Sequence, residues 1–164
     1  MEFIGLDPSF TGTGIVRIDA HGAVIDQNLF STDSKEKVEE RLLYIVESVM
    51  EHIKHPKLPH TICMEGIAFA RKSTYAAQLG ALHYMLRVAM YIEDMNYIVI
   101  PPTNLKKFVT GKGNCKKDLM LLKTYRKWGI QFEDDNLCDA YGLARKALFD
   151  LKGSDTKIGK RVKT

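Results

Sequence analysis

The sequence predicts an α/β fold: a mixed five-stranded sheet with three antiparallel N-terminal strands, flanked by helices. Three observations carry that prediction. Residues 1–32 hold three apolar strand-like runs joined by short turns, and helical and strand patterns alternate after them. Two of the strands end on a carboxylate with a turn residue directly behind it, Asp7 before Pro8 and Glu65 before Gly66.

The first strand lies in Glu2 to Gly14 (EFIGLDPSFTGTG) and must end at Asp7, because Pro8 cannot donate to a sheet ladder. Gly12 and Gly14 permit positive φ in the turn that follows, so Asp7 is expected to be fixed by the sheet yet exposed at its lip. Such an acid either ligates a cation or bonds nearby backbone N–H groups. Gly14 to Asp19 and Ala23 to Thr32 read as two further strands, with His21–Gly22 as a tight hairpin between them. Ser34 is the expected N-cap of a helix over Lys35 to Lys54, whose apolar face is Val38, Leu42, Ile45, Val49 and Ile53. Pro56 and Pro59 end it, and His60 to Glu65 is a short buried strand.

Gly66 to Lys72 reads as a loop before a helix over Ser73 to Asp94. One stripe of that helix holds Tyr75, Leu79, Leu82 and Leu86; a second holds Ala77, Ala81, Tyr84, Val88 and Ile92. One stripe packs on the sheet, while the other needs a subunit interface or a larger core. Tyr97 to Ile100 is a strand stopped by Pro101–Pro102, and Thr103 is expected to cap a short helix to Val109. Residues 110–114 (TGKGN) form a loop with the wrong order for a nucleotide-phosphate cradle, so no nucleotide cofactor is expected. A helix over Cys115 to Trp128 ends at Gly129. The last helix, Asn136 to Leu151, turns Leu137, Ala140, Tyr141, Ala144, Ala147 and Leu148 inward, with Asp139 in its first turn and Asp135 four residues before it. Lys152 to Thr164 carries five basic residues and little to bury, and is expected to be a separate, disordered or DNA-ordered tail behind one domain of residues 1–151.

Charge is divided unevenly. Residues 1–65 carry six Lys/Arg against eleven Asp/Glu, and residues 66–164 carry eighteen against nine, within a net charge of +4. Eight basic residues between Leu105 and Lys127 face the single acid Asp118, which favours a polyanion over a mixed solvated surface. No apolar run reaches the ~18 residues of a membrane helix, and no export pattern opens the chain. Cys63, Cys115 and Cys138 match no zinc or disulfide spacing, which suits reduced thiols in a cytoplasm.

Asp7, Glu65 and Asp139 collected on one sheet lip would repel one another unless protonated or bridged by a cation such as Mg²⁺ or Mn²⁺. With the cation they can cleave phosphodiesters without a histidine. The segments GLDPS at Asp7, MEG at Glu65, LG at Leu79–Gly80, LKKFVTGKGNCKK at 105–117 and CDAYGLA at Asp139 together resemble the RuvC-type Holliday junction resolvases of the ribonuclease H-like superfamily, in particular those of bacteriophages. The resemblance spans residues 1 to about 150. It implies a homodimer, formed through the helix around 73–94, that makes paired nicks in four-way or other branched DNA, in the host cytoplasm if phage-encoded. It also implies that Asp7, Glu65 and Asp139 are metal ligands and that Lys106 and Lys117 are DNA contacts. Lys107, Lys112, Lys116, Phe69, Arg71 and Lys72 are expected to assist at the DNA.

Two positions depart from the family pattern. The acid expected three residues before the last Asp is Asn136, which leaves Asp135 as the substitute ligand or as only a helix N-cap. The junction-probing aromatic expected three residues after Glu65 is Ala68, with Phe69 one later. Competing readings are a sugar-kinase-like ATPase, excluded by length, a ribonuclease H acting on RNA–DNA hybrids, and a structure-selective DNA-binding protein with little or no catalysis.

Overall fold

The structure, a computed structural model, describes residues 1–54, 60–67 and 74–159. Phe69, Arg71 and Lys72, expected to meet DNA, lie outside these residues, as does Ala68. The sheet contains β1 (Glu2–Asp7), β2 (Thr13–Ile18), β3 (Val24–Phe30), β4 (His60–Glu65) and β5 (Tyr97–Ile100) in the order β3-β2-β1-β4-β5. The first three strands are antiparallel, and β4 and β5 run parallel to β1. The hairpin between β2 and β3 has Gly22 at φ 90°, with the Asp19 carboxylate accepting from the His21 and Ala23 amides.

Strand alternation sorts side chains onto two cores. Ile4, Leu6, Ile62 and Met64 face α1 (Val38–Ile53) and α2 (Thr74–Ile92). Phe3 and Cys63 face α3 (Pro102–Thr110), α4 (Lys117–Trp128) and α5 (Asp135–Gly159). Asp7 and Glu65 continue the second set by the period of two, so both turn toward α5. The parallel register pairs Leu6 with Met64, which makes Asp7 and Glu65 lateral neighbours at the end of the sheet.

The glycines of the first two strands serve a purpose other than turning. Neither Gly12 nor Gly14 has positive φ. A Cβ on Gly14 would lie 2.5 Å from the Asn136 carbonyl oxygen, and one on Gly5 would overlap the Ala140 carbonyl. Their missing side chains let α5 lie directly on β1 and β2.

Several helix starts differ from expectation. Ser34 is no cap: the Asp33 carboxylate accepts the Lys35 amide in a local turn, and α1 begins only at Val38. Thr103 is inside α3, because Pro102 supplies the preset φ of a first helical residue. The fourth helix begins at Lys117 rather than Cys115, while Gly129 ends it in the left-handed conformation as expected. The last helix continues to Gly159, past the expected end at Leu151, with Gly153 inside it and no proline after Leu151 to stop it. On α2, Leu82 and Leu86 are buried but Tyr75 is exposed, and Tyr84, Val88, Tyr91 and Ile92 form an open apolar face. Among the described residues no helix is long and apolar enough to cross a membrane.

Candidate active site

Asp7 ends the central strand and is only 7% exposed, a correction to its expected exposure on the lip. The loop behind it is folded inward. Thr13 Oγ1 donates to the Ser9 carbonyl at 2.7 Å and accepts the Ser9 amide at 3.1 Å, so Thr13 holds the turn that Asp7 could have held. Phe10 is buried, and the Arg41 guanidinium lies 4.7 Å from its ring centroid and donates to its carbonyl at 3.2 Å. Arg41 Nε also donates to Thr32 Oγ1 at 2.8 Å, tying α1, the strand 3 exit and the loop after Asp7 together. Sequence reading missed this lock. Its signal was available, because Arg41 lies one turn before Ile45 on the face that α1 buries.

Glu65 is fixed by the next amide, Gly66 N–H, which donates to Ile100 O at 2.8 Å and carries the chain past the end of β5. Asp139 comes from the opposite side, in the first turns of α5. The N-cap of that helix is Asp134, whose Oδ1 accepts the amides of Asn136 at 2.8 Å and Leu137 at 3.2 Å. Asp135 is thereby freed from the capping role considered for it, and its carboxylate meets the Lys117 ammonium. The Asn136 amide lies against the loop after Asp7, its Nδ2 3.1 Å from where a Gly12 Cβ would stand.

The electrostatics report how closely these acids crowd. Burial first, then the charges of Glu65 and Asp139, holds the Asp7 carboxyl well above the ordinary carboxylate range, and protonated Asp7 donates to Glu65. Burial and Asp139 push Glu65 up to about 7, against the opposing Lys106. Burial and Asp135 push Asp139 up to about 6, against Lys106 and Lys117. Asp139 Oδ1 is buried with no hydrogen-bond partner. Among the described residues no three His, Cys, Asp or Glu side chains already stand together as a cation cage.

The donor set suits a hard divalent cation. It consists of carboxylate oxygens held at one sheet end, burial and then the neighbouring carboxylates raise their proton affinities, and one oxygen has no partner. Of the residues expected at DNA, Lys106 and Lys117 face the acids. Lys107, Lys112 and Lys116 are exposed on α3 and the loop before α4, and are not drawn into the carboxylate cluster. Cys63 and Cys138 are buried thiols pushed up to about 12 and about 11 by desolvation, so they are core residues and not nucleophiles.

Residues 3–144 match the family described as Crossover junction endodeoxyribonuclease RuvC. The RuvC of Brachyspira hyodysenteriae is 25% identical over 147 residues, covering 88% of this chain and 91% of the relative. That of Prochlorococcus marinus is 28% identical over 155 residues, covering 91% and 99%. Among solved structures, Thermus thermophilus RuvC superposes with a TM-score of 0.74 at 22% identity over 93% of this chain and 97% of that one. The same protein in complex with Holliday junction substrate gives 0.76 at 19% identity over 93% and 96%.

Proposed function

The chain belongs to the crossover junction endodeoxyribonuclease RuvC family, and from that membership we propose that it nicks four-way DNA junctions by divalent-cation-dependent hydrolysis, with Asp7, Glu65, Asp139 and Asp135 as cation ligands. The observation that carries the reading is the convergence of carboxylates from β1, β4 and α5 at one buried sheet end, with proton affinities raised by burial and then by one another. Mg²⁺ is the expected ion and Mn²⁺ a substitute, since both accept oxygen ligands in octahedral geometry. A bound cation would supply activation of water and charge stabilisation at the leaving oxygen. The protein's part is positional. Asp7 and Glu65 are fixed by adjacent strands, Asp139 by a helix that glycines let lie on those strands, and Lys106 and Lys117 offset carboxylate charge where a phosphate must approach. The test is incubation with labelled four-way, forked and linear DNA, with and without Mg²⁺; cleavage confined to linear DNA, or none at all, would reject the reading.

Asp135 is the fourth ligand in this proposal because Asp134 has taken the cap and Asp135 raises the proton affinity of Asp139. Asp135→Asn should leave the melting temperature nearly unchanged and lower Mg²⁺-dependent nicking by about 10–100-fold or more, the range for disturbed metal shells. Asn136→Ala should be mild. The reverse ranking would move the ligand to Asn136.

Proton linkage gives a second readout that does not depend on activity. Glu65 and Asp139 have folded values of about 7 and about 6, above the unfolded range near 4. Their contribution to stability is therefore fully present below pH ~4 and is lost as pH rises through ~6–7. Without divalent ions the chain should melt lower at pH 8 than at pH 5. Mg²⁺ at a hundredfold excess over its dissociation constant adds about 2.7 kcal/mol, roughly 5–10 °C for a chain of this size, and should do so at pH 8 and hardly at pH 5. An equal Mg²⁺ effect at both pH values would place the cation elsewhere.

The active assembly is proposed to be a homodimer through the outer face of α2, where Tyr84 is 60% and Tyr91 79% exposed beside Val88 and Ile92. Such a contiguous apolar face suits burial against a second copy. Ala81→Asp places a charge on that face and should give monomers in sedimentation velocity; a variant that stays dimeric would move the interface.

A further inference from the structure

About fifteen ångströms along α4 from Lys117, at ~1.5 Å per residue to Lys127, the surface carries a second cationic feature that the nuclease chemistry does not use. It is a groove of about 360 Å³ between the β2–β3 hairpin, the end of α4 and the outer turns of α5, floored by Phe108, Trp128, Leu148 and Phe149. Lys127 Nζ lies 4.3 Å from the Phe108 ring centroid and 4.7 Å from that of Trp128, and donates to Phe108 O at 2.8 Å. The Arg145 guanidinium sits 5.1 Å over Trp128 and donates to His21 O at 3.4 Å. Among the described residues neither cation forms an ion pair with a carboxylate.

We propose that this groove is a second DNA contact, in which Lys127 and Arg145 hold the sugar–phosphate backbone of a junction arm roughly four base pairs along from Lys117, taking ~3.4 Å of rise per base pair. The proposal rests on the nuclease reading for the identity of the DNA, but its evidence is separate. Long cationic side chains ordinarily lose rotamer freedom when they grip a ligand; here the rings and carbonyls already hold them, so less is lost on binding. The two cations also repel each other with no anion between them, and Lys127 is held below the usual ammonium range by desolvation and by Arg145. A phosphate would relieve both effects. Phe149, 61% exposed beside them, offers an apolar face to a deoxyribose. Charge on α4 favours DNA over an acidic peptide, because Lys117 at one end of the helix faces the acids and Lys127 at the other end enters the groove. One strand or arm passing the acids can thus reach both.

Trp128 is the only tryptophan of the chain, so its emission reports on this groove alone. A four-way junction with fifteen-base-pair arms is titrated into the full chain without added metal, following both junction anisotropy and Trp128 emission. The expected result is an emission change with the midpoint of the anisotropy curve. The Lys127→Gln, Arg145→Gln double variant should bind about tenfold more weakly, with a log–log salt slope lower by about 2, two phosphate contacts' worth. Phe149→Ala, at an exposed position that cannot unfold the core, should weaken binding about threefold and keeps the test decisive if the double variant melts early. Junction binding with silent Trp128, or with unchanged affinity and slope in these variants, overturns this contact and leaves the nuclease reading standing. A tryptophan response to polyglutamate at lower concentration than to the junction would reassign the groove to an acidic protein. A wild type that binds no junction overturns the nuclease reading, and this contact falls with it.

Discussion

Asp7→Asn, Glu65→Gln and Asp139→Asn are each expected to abolish Mg²⁺-dependent nicking of a four-way junction while junction affinity stays level or rises. The loss should exceed about a hundredfold, since even outer partners of a metal site cost about 10–100-fold when removed. Affinity should not fall, because each substitution removes negative charge from a surface that must receive phosphate. The Asp7 variant is the most informative of the three. Asp7 is buried at the end of the central strand, and its protonated form donates to Glu65, so a neutral Asn fits the same space and can donate the same hydrogen bond. Its fold should therefore be intact, and at pH 8 its melting temperature without divalent ions should be above that of the wild type. The rise in stability on adding Mg²⁺ should shrink in parallel with activity. Nicking at the wild-type rate by any one variant would remove that residue from the site. Activity lost together with the native melting transition would make the residue structural.

Gly5→Ala is expected to be among the most destabilising single-methyl additions available to this chain, at about 3 kcal/mol or more, the upper end for overpacking. The added Cβ would overlap the Ala140 carbonyl oxygen, and the groups that collide are backbone on both sides, so no side-chain rotation relieves the clash. The helix must lift from β1 at the level of the site, because Gly5 precedes Asp7 by two residues on the same strand face and Ala140 follows Asp139. Any folded Gly5→Ala protein should thus lose nicking as well as stability. Gly153→Ala is the control: it lies in the same helix with nothing within 4 Å of its would-be Cβ, and should be neutral or stabilising by up to ~1 kcal/mol. Chemical denaturation of the two variants, with nicking assayed under folding conditions, checks both halves; equal stabilities would mean that α5 has room to move.

Much of this fold was legible in the chain because its signals are local. β1, β4 and β5 begin and end where apolar runs meet Pro8, Gly66 and Pro101, and alternation alone places Asp7 with Phe3 and Glu65 with Cys63 on one face. The end of α4 at Gly129 is written in a residue that adopts the left-handed conformation without a Cβ penalty. Where two adjacent residues could serve one local role, the chain was ambiguous: Asp134 and Asp135 are both good caps, and only the fitted helix shows which one accepts the amides.

By itself, then, the sequence determined the strands, their faces, the three acids and the basic second half, all of which follow from residue type and spacing along a few consecutive positions. The tertiary structure decided what depends on residues far apart in the chain. It buried Asp7 rather than exposing it, assigned Gly14 to helix approach rather than to turning, gave Gly5 the same role, and set Arg41 against Phe10. It also brought Lys127 of α4 and Arg145 of α5 to the two rings Phe108 and Trp128. The physical reason is the same in each case: burial and charge pairing are properties of the space between elements, and that space exists only once α5 has packed on the sheet.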